Sequence, residues 1–169
     1  MTDKTTSQPT TEIERKFLVV SNTWRDAVTK STRIEQGYLH SDRERAVRVR
    51  IKGEQAFLTI KGGAGVGTTD SDIARLEFEY EISVEDASAM LANLCKPGII
   101  KKVRHLVKVE GHVFEVDEFG GENAGLIVAE LELEAVDQSF PHPPWLGEDV
   151  SGDPRYLNSR LAAHPYSTW

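Results

Sequence analysis

Apolar and charged residues take turns along most of this chain. In Thr11–Val19 (TEIERKFLV), Ile13, Phe17 and Val19 share one face of an extended segment, and Glu12, Glu14 and Lys16 share the other. The same period of two recurs downstream. Arg48, Arg50 and Lys52 alternate with Val47, Val49 and Ile51, and Glu77, Glu79 and Glu81 alternate with Phe78, Tyr80 and Ile82. Lys102, Arg104 and Lys108 alternate with Val103, Val107 and Val109. Glu115 and Asp117 alternate with Phe114 and Val116, and Glu130, Glu132 and Glu134 with Leu131 and Leu133. Lys61 falls with Thr59, opposite Ile60. Strands are therefore expected over residues 12–20, 34–39, 45–52, 56–61, 75–83, 100–110, 112–118 and 127–135, with a tight turn at Gly111-His112.

Helix signals are fewer. One helix is expected after Ser21 (SNTWRDAVTK). A second is capped by Ser83 with Asp86 three residues on, and stops at Pro97-Gly98. A third opens at Asp153-Pro154 and runs through Arg155 to Ala163. The glycine-rich stretch 62–72 (GGAGVGTTDSD) lacks the Gly-Lys-Ser/Thr ending of a phosphate loop and leads into no helix, so it reads as a loop between strands.

A half-solvated antiparallel sheet would explain any one of these strands. Three properties of the set favour another arrangement. The polar faces are almost wholly charged, they are segregated by strand into acidic and basic ones, and three short helices cannot cover so many strands unless the sheet curls. Apolar faces turned outward against helices, and charged faces turned into a barrel lumen, satisfy all three. Such a lumen is chemically specific. Grouped carboxylates call for a hard divalent cation, and grouped Arg and Lys call for a polyanion.

Composition narrows the remaining classes. The chain has 169 residues, enough for one domain with a sizeable core. A net charge of −7 argues against nucleic acid as partner. No apolar run approaches the roughly 18 residues of a membrane span. The polar start MTDKTTSQPTT reads as a loose tail without a signal peptide. Cys95 is the only cysteine, which excludes an intrachain disulfide and suits a cytoplasmic protein; beside Leu91 and Leu94 it reads as a packed residue. His105 shares the apolar face of its strand, and Trp145 after Pro143-Pro144 reads as a large ring packed against a rigid turn.

From Glu12-Ile13-Glu14-Arg15-Lys16 onward the chain resembles the CYTH superfamily, or triphosphate tunnel metalloenzymes, whose N-terminal signature is Glu-x-Glu-x-Lys. The resemblance continues in the family's order through EQGYL (35–39), RVR (48–50), LTIK (58–61), EFEYEI (77–82), KKVR (101–104), FEVDEF (114–119), ELELE (130–134) and PPWLGEDVSGDPRYLN (143–158). It implies an α+β protein built on an eight-stranded antiparallel β-barrel with a charged lumen. The domain would span 12–163, between tails at 1–11 and 164–169.

By the same resemblance, Glu12 and Glu14, with Glu132 or Glu130, would hold Mg²⁺ or Mn²⁺. Lys16, Arg48, Arg50, Lys102 and Arg104 would bind triphosphate oxygens, with Arg155 as a further candidate. Lys61 would orient or activate the attacking water. Glu79, Glu81 and Asp117 would orient basic residues or hold a metal's water shell. Tyr156 and Asn158 read as structural, and Lys52, Glu77, Glu115, Glu134 and Lys108 as rim residues. The activity implied is metal-dependent hydrolysis of a linear triphosphate, inorganic tripolyphosphate foremost. The alternatives are an adenylate cyclase, a thiamine or nucleoside triphosphatase, and a non-catalytic polyphosphate-binding module. Oligomeric state is left open.

Overall fold

In the computed structural model, residues 10–42, 44–64 and 74–169 are described. Nine strands form one antiparallel sheet: β1 (Thr10–Val19), β2 (Val28–Ser41), β3 (Arg45–Lys52), β4 (Gln55–Ala64), β5 (Ala74–Ile82), β6 (Ile100–Val109), β7 (His112–Phe119), β8 (Ile127–Leu133) and β9 (Leu146–Asp149). Helix α1 (Val84–Asn93) follows β5, and the shorter α2 (Asn158–Ala163) lies near the C-terminus. The strand order is β5-β4-β3-β2-β6-β7-β8-β1-β9, and β1 carries a second, short pairing with β5 through Thr10–Ile13 against Ala74–Glu77. The row thus curls until eight strands follow one another around a lumen. Past Ile13 the same edge of β1 turns to β9, at Phe17 and Val19, so β1 and β5 are joined at one end only.

The alternating faces sort as their chemistry requires. On the outside, Val49 and Ala56 pack with Ala87 and Leu91 of α1. On another flank, Val107, Phe114, Val116, Ala129, Leu131 and Leu133 pack around Trp24 and Trp145. Burying such faces at about 25 cal/mol per Å² is what holds the barrel together while its interior stays polar. The Trp145 ring meets Phe114 edge-on at 5.3 Å, as a packed ring should. His105 lies against the Trp24 ring at 5.0 Å, with Ser31 at its Nδ1.

Some expected elements differ. SNTWRDAVTK gives only a 3₁₀ turn at Thr23–Ala27, and its last residues open the long strand β2. Trp24 is sealed in the core there, and the β-branched Val28 and Thr32 join the ladder to β6. The third helix breaks in two: a 3₁₀ turn at Pro154–Tyr156, then α2. The break falls at Leu157, whose backbone is extended. The ninth strand, β9, has only four residues, too few to show a period. Helix α1 starts as expected, the Ser83 hydroxyl accepting from the Asp86 amide at 3.0 Å. Most of the glycine-rich stretch and of the N-terminal tail lies outside the described residues. The final residues form a 3₁₀ turn at Tyr166–Thr168. No described helix is long and apolar enough to cross a membrane.

Candidate active site

The lumen holds a cavity of about 510 Å³ walled by nearly every strand. Strand β1 contributes Glu14 and Lys16, β3 contributes Arg48, Arg50 and Lys52, and β4 Lys61. Glu77 and Glu79 come from β5, Lys102 and Arg104 from β6, Glu115 from β7, and Glu130 and Glu132 from β8. These are the charged faces picked out by the period of two, now turned inward.

The charges fall into two networks. In the first, the carboxylate of Asp117, fully buried, takes both Nε and Nη2 of Arg104 at 2.7 Å and also pairs with Lys102. Arg104 continues to Glu130 at 2.5 Å and to Glu115. Glu130 also holds Lys16 at 2.9 Å, and Glu14 approaches the same ammonium at 3.7 Å. In the second, Lys61 meets Glu77 at 2.8 Å and Arg50 meets Glu79 at 3.0 Å. Arg48 lies 3.8 Å from Glu77 and 3.6 Å from Glu79, and donates to the Thr59 hydroxyl at 3.1 Å.

Burial and neighbouring charge compete at each group. Burial alone would push the Glu130 carboxyl up, but Lys16, Arg104 and Lys102 together hold it well below the usual range. Burial would lower Lys16, yet Glu130 and Glu14 overcome it and raise the ammonium pKa. For Lys102 burial prevails over Asp117, aided by repulsion from Arg104, and its pKa is lowered. Arg50 is lowered by burial and by Arg48 beside it.

Two features of this lumen call for a ligand. The Nε atoms of Arg48 and Arg50 are buried with no hydrogen-bond partner among the described residues, and an orphaned guanidinium donor is costly unless an acceptor arrives. Glu14 and Glu132 are direct partners across the β1–β8 ladder, as Lys16 and Glu130 are one step along it. Like charges placed opposite each other repel, and a cation between them would relieve the repulsion. Among the described residues no three His, Cys, Asp or Glu side chains are grouped to hold a metal ion. Two facing carboxylates are a donor set that would suit a hard divalent ion. Glu12, two residues before Glu14 in β1, has its side chain outside the described residues.

Several expected site residues are placed differently. Arg155 is exposed, bound to Asp153 at 2.6 Å and stacked over the Trp169 ring, and does not border the cavity. Its position on a surface 3₁₀ turn favours the nearest carboxylate over the lumen. Glu81 is exposed beyond the cavity wall. Glu130 is committed to Lys16 and Arg104, which makes Glu132 the freer oxygen donor. Conversely Lys52, Glu77 and Glu115 line the cavity, while Lys108 and Glu134 are exposed.

The charge pattern also missed two groups. Gln36 and Tyr38 of β2 border the cavity, both buried, with Gln36 Nε2 donating to the Tyr38 hydroxyl at 3.2 Å. Burial raises the Tyr38 pKa against the pull of Arg48, Lys16 and Lys61, so a neutral phenol sits among three cations. The inward face of β2 reads Ile34, Gln36, Tyr38, with no charge to flag it, and only its ladder neighbours Arg48 and Arg50 give it away.

An antiparallel sheet curled around paired carboxylates and clustered guanidinium and ammonium groups defines a class of barrel that takes a polyanion into its lumen. Within that class, the chain belongs to the CYTH domain family, whose model matches residues 10–162. It is 43% identical over 158 residues to an inorganic triphosphatase of Acetivibrio thermocellus, covering 94% of this chain and 97% of the relative. It is 36% identical over 156 residues to an inorganic triphosphatase of Nitrosomonas europaea, covering 90% and 97%. A crystal structure of an inorganic triphosphatase superposes with a TM-score of 0.65 at 32% identity, covering 92% of this chain and 97% of that one.

Proposed function

We propose that this protein hydrolyses linear triphosphates, with inorganic tripolyphosphate as its main substrate, in the presence of Mg²⁺ or Mn²⁺. The observation that carries the reading is the pair of buried Nε donors on Arg48 and Arg50, without a hydrogen-bond partner among the described residues, set in a lumen where Lys16, Lys61, Lys102 and Arg104 pair with carboxylates. Both the A. thermocellus and the N. europaea relatives are named inorganic triphosphatases, which supports it.

Phosphoryl transfer from an anhydride asks for positioning, charge neutralisation and an aligned nucleophile. Arg48, Arg50, Lys16, Lys102 and Arg104 would exchange carboxylate partners for phosphate oxygens, charge-assisted bonds of similar strength. Glu79 and Asp117 aim those cations: Asp117 grips Lys102 and Arg104, and Glu79 holds Arg50 while accepting from Thr59 at 2.8 Å. Lys61, steadied by Glu77, orients the attacking water, with the Tyr38 hydroxyl as a second hydrogen-bonding group nearby. Glu14 and Glu132, with Glu12 along the same strand, would hold a divalent ion, which when bound supplies charge neutralisation on the phosphate oxygens.

A nucleotide substrate is less well served. Among the described residues, apolar surface on the cavity comes from Ala46, Phe78 and Leu157, with the ring of Tyr38. Purified protein incubated with tripolyphosphate, thiamine triphosphate or ATP, with each metal, tests the assignment. Orthophosphate release fastest from tripolyphosphate is expected. Cyclic AMP as the main product from ATP would overturn it, and thermal stabilisation by tripolyphosphate without turnover would point to a binding module.

A further inference from the structure

The barrel does not build the whole cavity wall. Leu157, Asn158 and Ser159 also border it, although they lie on no strand. The segment is firmly seated. Leu161 is fully buried in a cluster with Ile100, Phe119 and Val128, which occupy inward positions of β6, β7 and β8 next to the charged ones. Asn123 clasps it from both sides, its Nδ2 donating to the Leu161 carbonyl and its Oδ1 accepting from the Tyr166 amide at 2.8 Å. Gly98 packs so closely that a Cβ there would lie 1.8 Å from the Ala162 carbonyl oxygen.

This seated segment touches two of the lumen's cations. Lys16 Nζ donates to the Tyr156 carbonyl at 3.4 Å, and Lys102 Nζ donates to Asn158 Oδ1 at 3.4 Å. With Oδ1 turned to Lys102, Asn158 has its Nδ2 left over, two donors with no hydrogen-bond partner among the described residues, at the wall of an anion-binding cavity.

We propose that Asn158 is a substrate-positioning residue: its Oδ1 steers the Lys102 ammonium, and its Nδ2 donates to an oxygen of the bound triphosphate. The inference rests on the triphosphate reading above and adds to it a residue that no strand supplies. Because it concerns binding, it predicts a split between KM and kcat that a merely structural asparagine would not produce.

The test measures tripolyphosphate binding by calorimetry in EDTA, and KM and kcat with Mg²⁺, for wild type, Asn158→Ala and Asn158→Asp. Loss of one hydrogen bond to a charged group should raise Kd and KM about tenfold in Asn158→Ala, with kcat within about twofold. The isosteric Asn158→Asp keeps the shape but sets a carboxylate against the anion, so its loss should be larger, on the order of a hundredfold. It therefore decides the matter even if the alanine variant folds poorly. Wild type that hydrolyses tripolyphosphate while both variants keep its Kd and KM would overturn this inference alone. If wild type binds without turnover, the Kd ratios decide it. Wild type that neither binds nor hydrolyses would overturn the triphosphate reading as well.

Discussion

Asp117 is the carboxylate most completely enclosed in the lumen's charge network, and Asp117→Asn is the most informative single change to it. The side chain is fully buried and receives two bonds of 2.7 Å from Arg104 as well as the Lys102 ammonium. The amide is nearly isosteric, so packing is kept and only charge is removed. Arg104 would retain the charges of Glu115 and Glu130, whereas Lys102 would lose its direct ion pair and keep neutral acceptors, the new amide oxygen and the longer contact to Asn158. Removing one partner of a buried ion pair costs about 3–5 kcal/mol, and Arg104's remaining partners place this case near 3 kcal/mol. At roughly 2–4 °C per kcal/mol for a chain of this size, Tm should fall by about 6–12 °C. Tripolyphosphate in EDTA brings back negative charge beside both cations, so the Tm gap between variant and wild type should narrow as ligand is added. A variant within about 2 °C of wild type without ligand, or a gap that widens with it, would refute the claim that these cations lean on Asp117.

Two further outcomes follow from the same geometry. Because the Glu130 carboxyl is held below its ordinary pKa, its stabilising effect is present above the usual carboxylate range and lost as pH falls through the depressed value. Denaturant midpoints between about pH 7 and pH 3 should therefore drop more steeply for wild type than for Glu130→Gln, and parallel curves would contradict this. Gly98 has a positive φ of 95° and abuts the α2 backbone. Gly98→Ala adds about 1–2 kcal/mol of left-handed strain to a clash that must displace α2. Expected are a lowered Tm and a raised KM for tripolyphosphate, since α2 begins at Asn158; an unchanged KM would separate α2 from binding.

How much of this was readable in the sequence depends on the strand. Where a lumen face is charged, as at Arg48-Arg50 or Glu130-Glu132, alternation marked it, because only a shielded polar interior gathers single-sign charge on one side. The face of β2 escaped notice because Gln36 and Tyr38 are neutral and owe their place to ladder pairing with Arg50 and Arg48. Which charges pair was likewise hidden: period places Glu130 and Glu132 on one face, but register sets Glu130 against Lys16 and Glu132 against Glu14. The setting of Arg155 was hidden for a related reason, since only three dimensions show Asp153 and Trp169 engaging its guanidinium. The helix expected after Ser21 is replaced by a 3₁₀ turn and the start of β2 because burial of Trp24 and ladder pairing with β6 outweigh the local signal.

The central claim is that Glu14 and Glu132 face each other to share a divalent ion beside a triphosphate-binding belt. Its most direct measurement is phosphate release from tripolyphosphate as a function of Mg²⁺ or Mn²⁺ concentration, for wild type, Glu14→Ala and Glu132→Ala. Wild type should be inactive in EDTA and saturate with metal. Glu14→Ala should abolish turnover, and Glu132→Ala should shift the metal dependence at least tenfold higher, about 1.4 kcal/mol of lost metal binding. Metal-independent release by wild type, or wild-type metal curves for both variants, would contradict it.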